Sequence, residues 1–163
     1  MEKTNASRIL DRLKIQYQLV EYAVDPDHLE ATHVAHELGE DIATVYKTLV
    51  LRGDKNGVFV CVVQGDKEVD LKKAAKASGN KKVAMIPLKE LQPLTGYIRG
   101  GCTSIGMKKN FPVFLDNCAI SLPFIYISAG KRGLQIKLNP ADLIKATSAT
   151  LADISTNPDN HAL

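Results

Sequence analysis

The sequence contains few cysteines and no long apolar run, and both features restrict the class of protein. The three cysteines, Cys61, Cys102 and Cys118, are scattered and form no CxxC pair, so neither a disulfide framework nor a zinc cage is indicated. No apolar run approaches the roughly 18 residues of a membrane span, and the N-terminal residues lack the apolar core of a secretion signal. We therefore expect a cytoplasmic protein that does not insert into membranes.

The usual cofactor and catalytic motifs are also missing. There is no GxGxxG or GxxxxGK[ST] phosphate-binding loop, and no GxSxG turn of a serine hydrolase. His33 and His36 have helical spacing, but no third ligand follows in a recognised metal-binding pattern. We expect neither a metal nor an organic cofactor.

The chain is short enough for one domain. It has 163 residues, 45% of them apolar, and division into domains is usual only above about 250 residues. Short strand and helix patterns alternate without the regular rhythm of a doubly wound sheet. We predict a mixed α/β domain over residues 1–155, with a curved, mostly antiparallel sheet or barrel flanked by helices, and a flexible tail over 156–163.

Several helix and hairpin boundaries are predicted by local signals. Thr4 or Asn5 is suited to cap a first helix, and Gly39 to end a second one. The runs TVYKTLVLR and VFVCVVQ flank GDKNG, which predicts a hairpin of central strands. Asp70 and Gly79 predict the two ends of a further helix.

Lys47 is unusual because it lies within the apolar run VYKTLVL. Its ammonium either reaches water from the end of a core strand or lies at the floor of a pocket, where low polarity strengthens its interaction with an anion. The adjacent Gly100 and Gly101, and Ser128 before a second tight turn, provide amides and a hydroxyl that can approach a ligand oxygen. Both loops are equally compatible with ordinary turns.

Positive charge is concentrated in one part of the chain. The net charge is +3, but ten Lys/Arg and three acidic residues lie between Lys67 and Lys109. The lysines at 72, 73, 76, 81 and 82, with those at 108, 109 and 131 and Arg132, form either a solvated surface or a phosphate-binding rim. A polyanionic partner such as RNA is consistent with this distribution.

Four segments in order, VYKTLVL, LKKAAKASGNKKVAM, TGYIRGGCTSIGMKK and IYISAGKRGLQIKL, closely resemble the YbaK-type Cys-tRNA(Pro) deacylases. These proteins are relatives of the editing domain inserted in bacterial prolyl-tRNA synthetases. The resemblance extends from about Ala6 to about Ile154. It implies a compact mixed α/β domain that removes cysteine from mischarged tRNA(Pro) in trans. It also implies a transient complex with prolyl-tRNA synthetase, and we expect a monomer in isolation.

The resemblance also implies site residues. The family's catalytic positions match Lys47, Gly101, Tyr22 and Ser128. Lys47 is expected to act on the ester or a terminal phosphate, Gly101 and neighbouring amides on the oxyanion, and Tyr22 and Ser128 on substrate position. Further positions expected to bind substrate are Gly100, Cys102, Thr103, Ala129, Gly130 and Arg132.

The sequence departs from the family pattern at two places. In the glycine loop Thr103 replaces a common serine and Ser104 replaces a proline, which predicts a less rigid loop. After RGL, Gln135 replaces an aspartate found in several relatives, so hydrogen bonding remains and a negative charge is lost. Any role of that carboxylate, such as holding the substrate's α-ammonium, is open.

The sequence offers two candidate nucleophiles. The resemblance implies that the substrate's own thiol attacks its ester carbonyl. Cys102 is a weaker candidate, because no lysine or histidine lies beside it in sequence.

Three functional classes remain open from the sequence alone, and a Cys-tRNA(Pro) deacylase is the first. An editing enzyme selective for alanine or serine is a second class. A non-catalytic module that binds aminoacyl-tRNA or the synthetase is the third, and the Ser104 and Gln135 departures favour it.

Overall fold

The computed structural model describes residues 2–158, which contain five short helices with well-defined ends. Thr4 caps the first helix, where its hydroxyl accepts the Ser7 N–H at 3.2 Å, and Asp70 caps the third in the same way. Gly39 and Gly79 end the second and third helices with positive φ values of 68° and 73°. These predicted helix ends are confirmed. The helices are α1 (Asn5–Arg12), α2 (Ala31–Leu38), α3 (Leu71–Ser78), α4 (Leu88–Thr95) and α5 (Pro140–Thr147).

Ten strands in the described residues form three sheets. They are β1 (Gln18–Glu21), β2 (Tyr46–Gly53), β3 (Gly57–Gln64), β4 (Glu68–Val69), β5 (Val83–Met85), β6 (Val113–Asp116), β7 (Ile125–Ser128), β8 (Leu134–Leu138), β9 (Thr150–Ala152) and β10 (Ser155–Thr156). The largest sheet has the order β5-β2-β3-β6-β9, a second has β1-β8-β7, and β10 pairs with β4.

The predicted mixed and mostly antiparallel architecture is confirmed. The β2–β3 hairpin lies inside the largest sheet, and its turn covers residues 54–56 between the paired Gly53 and Gly57, within the predicted GDKNG segment. The pairs β3–β6 and β6–β9 are parallel, whereas the other strand pairs are antiparallel. Thr156, the first residue of the predicted tail, pairs with Glu68, while residues 159–163 lie outside the described part of the chain.

The central strand β3 is buried on both faces, and this explains its continuous apolar sequence. Val60 and Val62 pack into the main core, and Phe59, Cys61 and Val63 pack into a second cluster under α3. Successive side chains of a strand point to opposite faces, so each face of β3 contributes to a different cluster.

An isolated β-bridge connects the largest sheet to the three-stranded one and brings several predicted site residues together. Val45, just before β2, pairs in parallel with Tyr126 of β7. Lys47 lies two residues after Val45, and Ser128 lies two residues after Tyr126. Side chains two residues apart in a strand point to the same face, so Lys47 and Ser128 lie on the same face as Val45 and Tyr126. Gln135 of β8 is directly opposite Ser128 and shares this face too.

Asp116, at the end of β6, ties the C-terminal segment to the sheet. It is 4% exposed, and its carboxylate accepts hydrogen bonds from the Ile154 N–H at 3.1 Å, the Ser155 N–H at 3.2 Å and the Cys118 thiol at 2.8 Å. Burial alone raises the pKa of Asp116, but these hydrogen bonds outweigh it and hold the pKa below its ordinary 3.8.

Replacing Asp116 by asparagine is expected to lower the free energy of unfolding by about 3 kcal/mol at neutral pH, because buried amides lose a charged acceptor. The folded-state pKa is depressed, so this stabilisation is present above pH 3.8 and is lost as pH falls through the lower folded value. Urea unfolding at neutral and acidic pH measures the difference. The exposed Asp27→Asn serves as control, and an equal loss for both variants would contradict the assignment.

Candidate active site

A pocket of about 360 Å³ lies along β2, between its pairing with β5 and its bridge to β7. Its walls are mainly apolar and are contributed by α2, β2, β5, α4 and the glycine loop. The lining residues that bear on the chemistry are Glu30, Lys47, Arg99, Gly100, Cys102, Ser128 and Gln135.

Lys47 is the predicted residue with the clearest electrostatic signature. Burial lowers the pKa of its ammonium below the ordinary 10.5, and the negative charges of Glu68 and Asp66 partly offset that effect. The ammonium therefore lies in a less polar setting than water. In such a setting its attraction to a phosphate or a developing oxyanion is strengthened.

The glycine loop requires glycine at position 100. Gly100 has φ +85°, and a Cβ there would lie 3.2 Å from both Leu29 Cδ2 and Arg132 Nε. Arg132 Nε also donates to the Arg99 carbonyl at 2.8 Å, so the guanidinium holds the loop in place. Ser104 in place of a proline predicts a less rigid loop, but Arg132 of the 128–133 turn and Leu29, just before α2, both pack against Gly100.

The structure corrects the expected role of the Gly101 amide. Its N–H already donates to the Ile98 carbonyl at 2.9 Å, and a Cβ at Gly101 would lie 3.0 Å from Lys131 Cα. Gly101 therefore packs the loop against the neighbouring turn. Within residues 2–158 the N–H groups of Gly100 and Cys102 make no hydrogen bond, and both residues line the pocket, so these two amides are candidates to bind an oxyanion.

Ser128 is oriented by its own turn. Its Oγ accepts the Gly130 N–H at 3.1 Å, which leaves the hydroxyl proton free to donate into the pocket. Gln135, opposite Ser128, is 4% exposed, and its Oε1 has no hydrogen-bond partner in the described residues.

Cys102 lines the pocket as a neutral thiol. Burial raises its pKa to about 12, against a smaller opposing effect of a hydrogen bond with Thr95. A thiolate is the reactive form of cysteine, so this side chain is poorly suited to be a nucleophile at neutral pH.

Other predicted site residues lie outside this pocket. Tyr22 lines a separate small depression beside Lys131 and Arg132 and packs against the cluster formed by α2 and β7. Ala129 is fully buried, and its N–H donates to Leu134. Together with Gly101, Gly130 and Arg132 it forms the frame of the site.

Thr103 and Ser104, the two loop residues that differ from the family pattern, also lie outside the pocket. Thr103 is fully buried, and its Oγ1 accepts the Ile105 N–H at 3.4 Å, so it stabilises the loop from behind. Ser104 is 8% exposed, and its Oγ has no partner in residues 2–158. Neither side chain is placed to touch a ligand in the pocket that holds Lys47.

Sequence reasoning missed several lining residues. Arg99 lines the pocket and immediately precedes the paired glycines, so its place in the sequence could have identified it as a site residue. Glu30 precedes α2, and Met85 and Leu88 are 46% and 61% exposed at the pocket. No local pattern distinguishes these three from surface residues, because their convergence depends on tertiary packing.

The basic residues divide into two groups. Arg99 lines the pocket, and Lys131 and Arg132 pack beside Gly100 and Gly101. The lysines of and after α3 do not line it, and Lys73 is bound to Asp153 at 3.0 Å. The candidate phosphate-binding rim therefore centres on the first group.

Among residues 2–158, no group of three or more histidine, cysteine, aspartate or glutamate side chains is placed to hold a metal ion. No helix in this range is long and apolar enough to span a membrane.

The fold and pocket define a class: an α/β domain that offers one ammonium, one hydroxyl and free amides to an anionic or ester ligand. A family profile described as "Aminoacyl-tRNA editing domain" matches residues 25–146. An Enterococcus faecalis protein, provisionally named Cys-tRNA(Pro)/Cys-tRNA(Cys) deacylase EbsC, is 50% identical over 155 residues, covering 95% of this chain and 94% of its own length. The chain belongs to the aminoacyl-tRNA editing domain family.

Solved structures show the same fold. One, described provisionally as a trans-editing enzyme for prolyl tRNA synthetase, is 24% identical with a TM-score of 0.81, over 96% of this chain and 100% of its own. Another, a hypothetical protein APE2540, is 24% identical with a TM-score of 0.85, over 94% of this chain and 100% of its own. At this level of identity the likeness concerns architecture alone.

Proposed function

We propose that this protein is a trans-editing deacylase that releases cysteine from mischarged tRNA(Pro). The observation that carries the proposal is the convergence of Lys47, Ser128 and the free amides of the glycine loop on one pocket. The 50% identity to a relative named for this activity, over nearly the whole chain, supports the same substrate. We further propose that it acts in the cytoplasm as a monomer that meets prolyl-tRNA synthetase transiently.

The proposed chemistry needs no nucleophile from the protein. The substrate thiol attacks the ester carbonyl, the new carbon–sulfur bond closes a cyclic thiolactone, and the bond to the ribose oxygen breaks. The thiol proton passes to that leaving oxygen. Lys47 and the amides of Gly100 and Cys102 stabilise the oxyanion, and Ser128 orients the aminoacyl group. The neutral Cys102 thiol is consistent with this division of roles.

Comparing tRNA(Pro) charged with cysteine, serine or alanine tests activity and mechanism together. Cysteine is expected to be released at least about 100-fold faster than serine, which has a weaker nucleophile in the same position. Equal release of all three would favour an editing enzyme of different selectivity. Binding of charged tRNA without release of any amino acid would favour a non-catalytic module.

Lys131 is expected to contact a phosphate of the acceptor end. The Lys131→Ala variant should bind tRNA more weakly, and the slope of log affinity against log salt should become less steep by about 0.7–0.9. Filter binding across salt concentrations measures this slope. Lys145→Ala, an exposed change on α5, is the matched control. An unchanged slope for Lys131→Ala would remove this residue from the rim.

A further inference from the structure

One edge of β2 is unpaired where the strand lines the pocket. β2 pairs with β3 along its whole length, but it pairs with β5 only from Leu51 to Gly53. Among residues 2–158 no strand pairs with the outer edge of residues 48–50, and all three of these residues line the pocket. An unpaired edge offers main-chain N–H and C=O groups to a ligand that lies against it.

Hydrogen bonds on the β5 side show which groups of β2 point to this edge. The Asp54 N–H donates to the Lys82 carbonyl at 3.0 Å, and the Ile86 N–H donates to the Val50 carbonyl at 3.1 Å. Main-chain groups alternate between the two edges of a strand from one residue to the next, so those of Thr48 point to the same edge. The Val50 N–H makes no hydrogen bond with the Ile86 carbonyl in return. The edge therefore presents the Thr48 carbonyl and the Val50 N–H side by side.

Apolar side chains border the same edge. Met85 of β5 and Leu88 of α4 line the pocket, although they are 46% and 61% exposed. Arg52 of β2 forms an ion pair with Glu90 of α4 at 2.7 Å, which holds the start of α4 against the strand. This end of the pocket thus combines an exposed apolar wall with an adjacent donor and acceptor. Such a combination is suited to bind a nucleobase.

The substrate of the proposed deacylase carries a nucleobase close to the ester. A tRNA ends in an adenosine whose ribose bears the aminoacyl group, and the Watson–Crick edge of adenine has the N6 amino donor beside the N1 acceptor. Lys47 lies four residues from Leu51, which is paired with Met85, so about 13 Å of strand separates the two ends of the pocket. A nucleoside joined to an aminoacyl group can span this separation. The volume of about 360 Å³ also lies in the range of pockets that hold drug-sized ligands.

Building on the proposed deacylase function, we propose that the unpaired edge of β2 binds the terminal adenine of the substrate. The Thr48 carbonyl accepts a hydrogen bond from the N6 amino group, and the Val50 N–H donates to N1. Met85 and Leu88 cover the ring, and the aminoacyl group lies at the Ser128 end of the pocket. Guanine, uracil and hypoxanthine carry an oxygen and an N–H at the corresponding atoms, so this edge disfavours them.

Binding of three stable nucleoside analogues tests the base site. Each is a 3′-cysteinylamino-3′-deoxynucleoside, and the bases are adenine, purine, which lacks the amino group, and hypoxanthine, which has an oxygen there and a hydrogen on N1. NMR titration of the isotope-labelled protein measures the dissociation constants. Compared with adenine, purine is expected to bind about 5–10-fold more weakly because one hydrogen bond is lost. Hypoxanthine should bind about 100-fold more weakly because like groups face each other.

The amide proton of Val50 gives a readout at the site itself. Its resonance should move downfield with the adenine and purine analogues, which both have the N1 acceptor, and should not do so with the hypoxanthine analogue. The neighbouring Leu51 amide points to β3 and serves as the internal control, so its resonance should move little.

Leu88→Ala tests the apolar wall. It is expected to raise the dissociation constant of the adenine analogue and the KM for cysteinyl-tRNA(Pro) about fivefold, because apolar contact with the ring is lost, while kcat stays unchanged. Leu88 is 61% exposed, so the variant should fold normally. Leu71→Ala is the matched control, because Leu71 is 46% exposed on α3 and does not line the pocket. It should leave both constants unchanged.

Equal binding of the three analogues would overturn the inference, as would the absence of binding or an unmoved Val50 amide in the adenine complex. Failure of the proposed function has a different signature. A protein that binds the analogues in the expected order but releases no cysteine from tRNA(Pro) would have the base site without the activity. A protein that releases cysteine but does not distinguish the bases would have the activity without the base site.

Discussion

Lys47→Ala is expected to lower kcat/KM for cysteinyl-tRNA(Pro) by about 10²–10³-fold, the usual cost of losing one stabiliser of an oxyanion. Burial places the ammonium in a less polar setting than water and lowers its pKa, so its attraction to the carbonyl oxygen is stronger than it would be in water. Most of the loss should appear in kcat, since the interaction strengthens as the charge develops. Single-turnover release of labelled cysteine measures it.

Two further variants separate chemistry from folding. Lys47→Met removes a partly buried charge and should lose the same activity, with a free energy of unfolding no lower than that of the unmodified protein. Lys145→Ala removes an exposed lysine on α5 and should retain full activity. If Lys47→Ala kept its turnover, the catalytic assignment of Lys47 would be wrong.

Gly100→Ala is expected to lower kcat/KM by about 10–100-fold, because the loop must move to accommodate a Cβ. The backbone at this position has φ +85°, and the added atom would lie 3.2 Å from Leu29 and Arg132 side chains. The displacement would move the free amides of Gly100 and Cys102 away from the ester carbonyl. Steady-state kinetics with cysteinyl-tRNA(Pro) provides the measurement.

Gly57→Ala is a matched control for this variant. Gly57 has a similar φ of +73°, but nothing lies within 4 Å of its Cβ position, and it is the first residue of β3, next to the hairpin turn. Both variants should lose about 1–2 kcal/mol of unfolding free energy from the left-handed backbone. Only Gly100→Ala should lose activity. An equal loss of activity in Gly57→Ala would show that general destabilisation, and not displacement of the glycine loop, causes the effect.

Local chemistry made much of the fold predictable from the sequence. The Thr4 and Asp70 caps, the Gly39 terminus and the Asn-Gly hairpin each depend on a few neighbouring residues, and the structure has them where the sequence predicts them. The division into three sheets and the parallel β3–β6–β9 edge depend on pairing between distant segments. A single sequence carries little information about such pairing.

The candidate site was predictable to a similar extent. Lys47, Gly100, Cys102 and Ser128 line one pocket, as the motifs suggested when taken together. The position of Tyr22 could not be predicted, because a residue at the end of β1 faces one depression or another according to how β8 and its preceding turn pack. Hydrogen bonding inside the loop, which occupies the Gly101 amide, is likewise invisible in the sequence.

The most direct test of the account is a crystal structure with 3′-cysteinylamino-3′-deoxyadenosine, in which an amide replaces the labile ester. The account predicts that the analogue occupies the pocket along β2, with its carbonyl oxygen within about 3.2 Å of Lys47 Nζ or the amides of Gly100 and Cys102. An analogue bound elsewhere on the molecule, with its carbonyl remote from Lys47, would contradict the account.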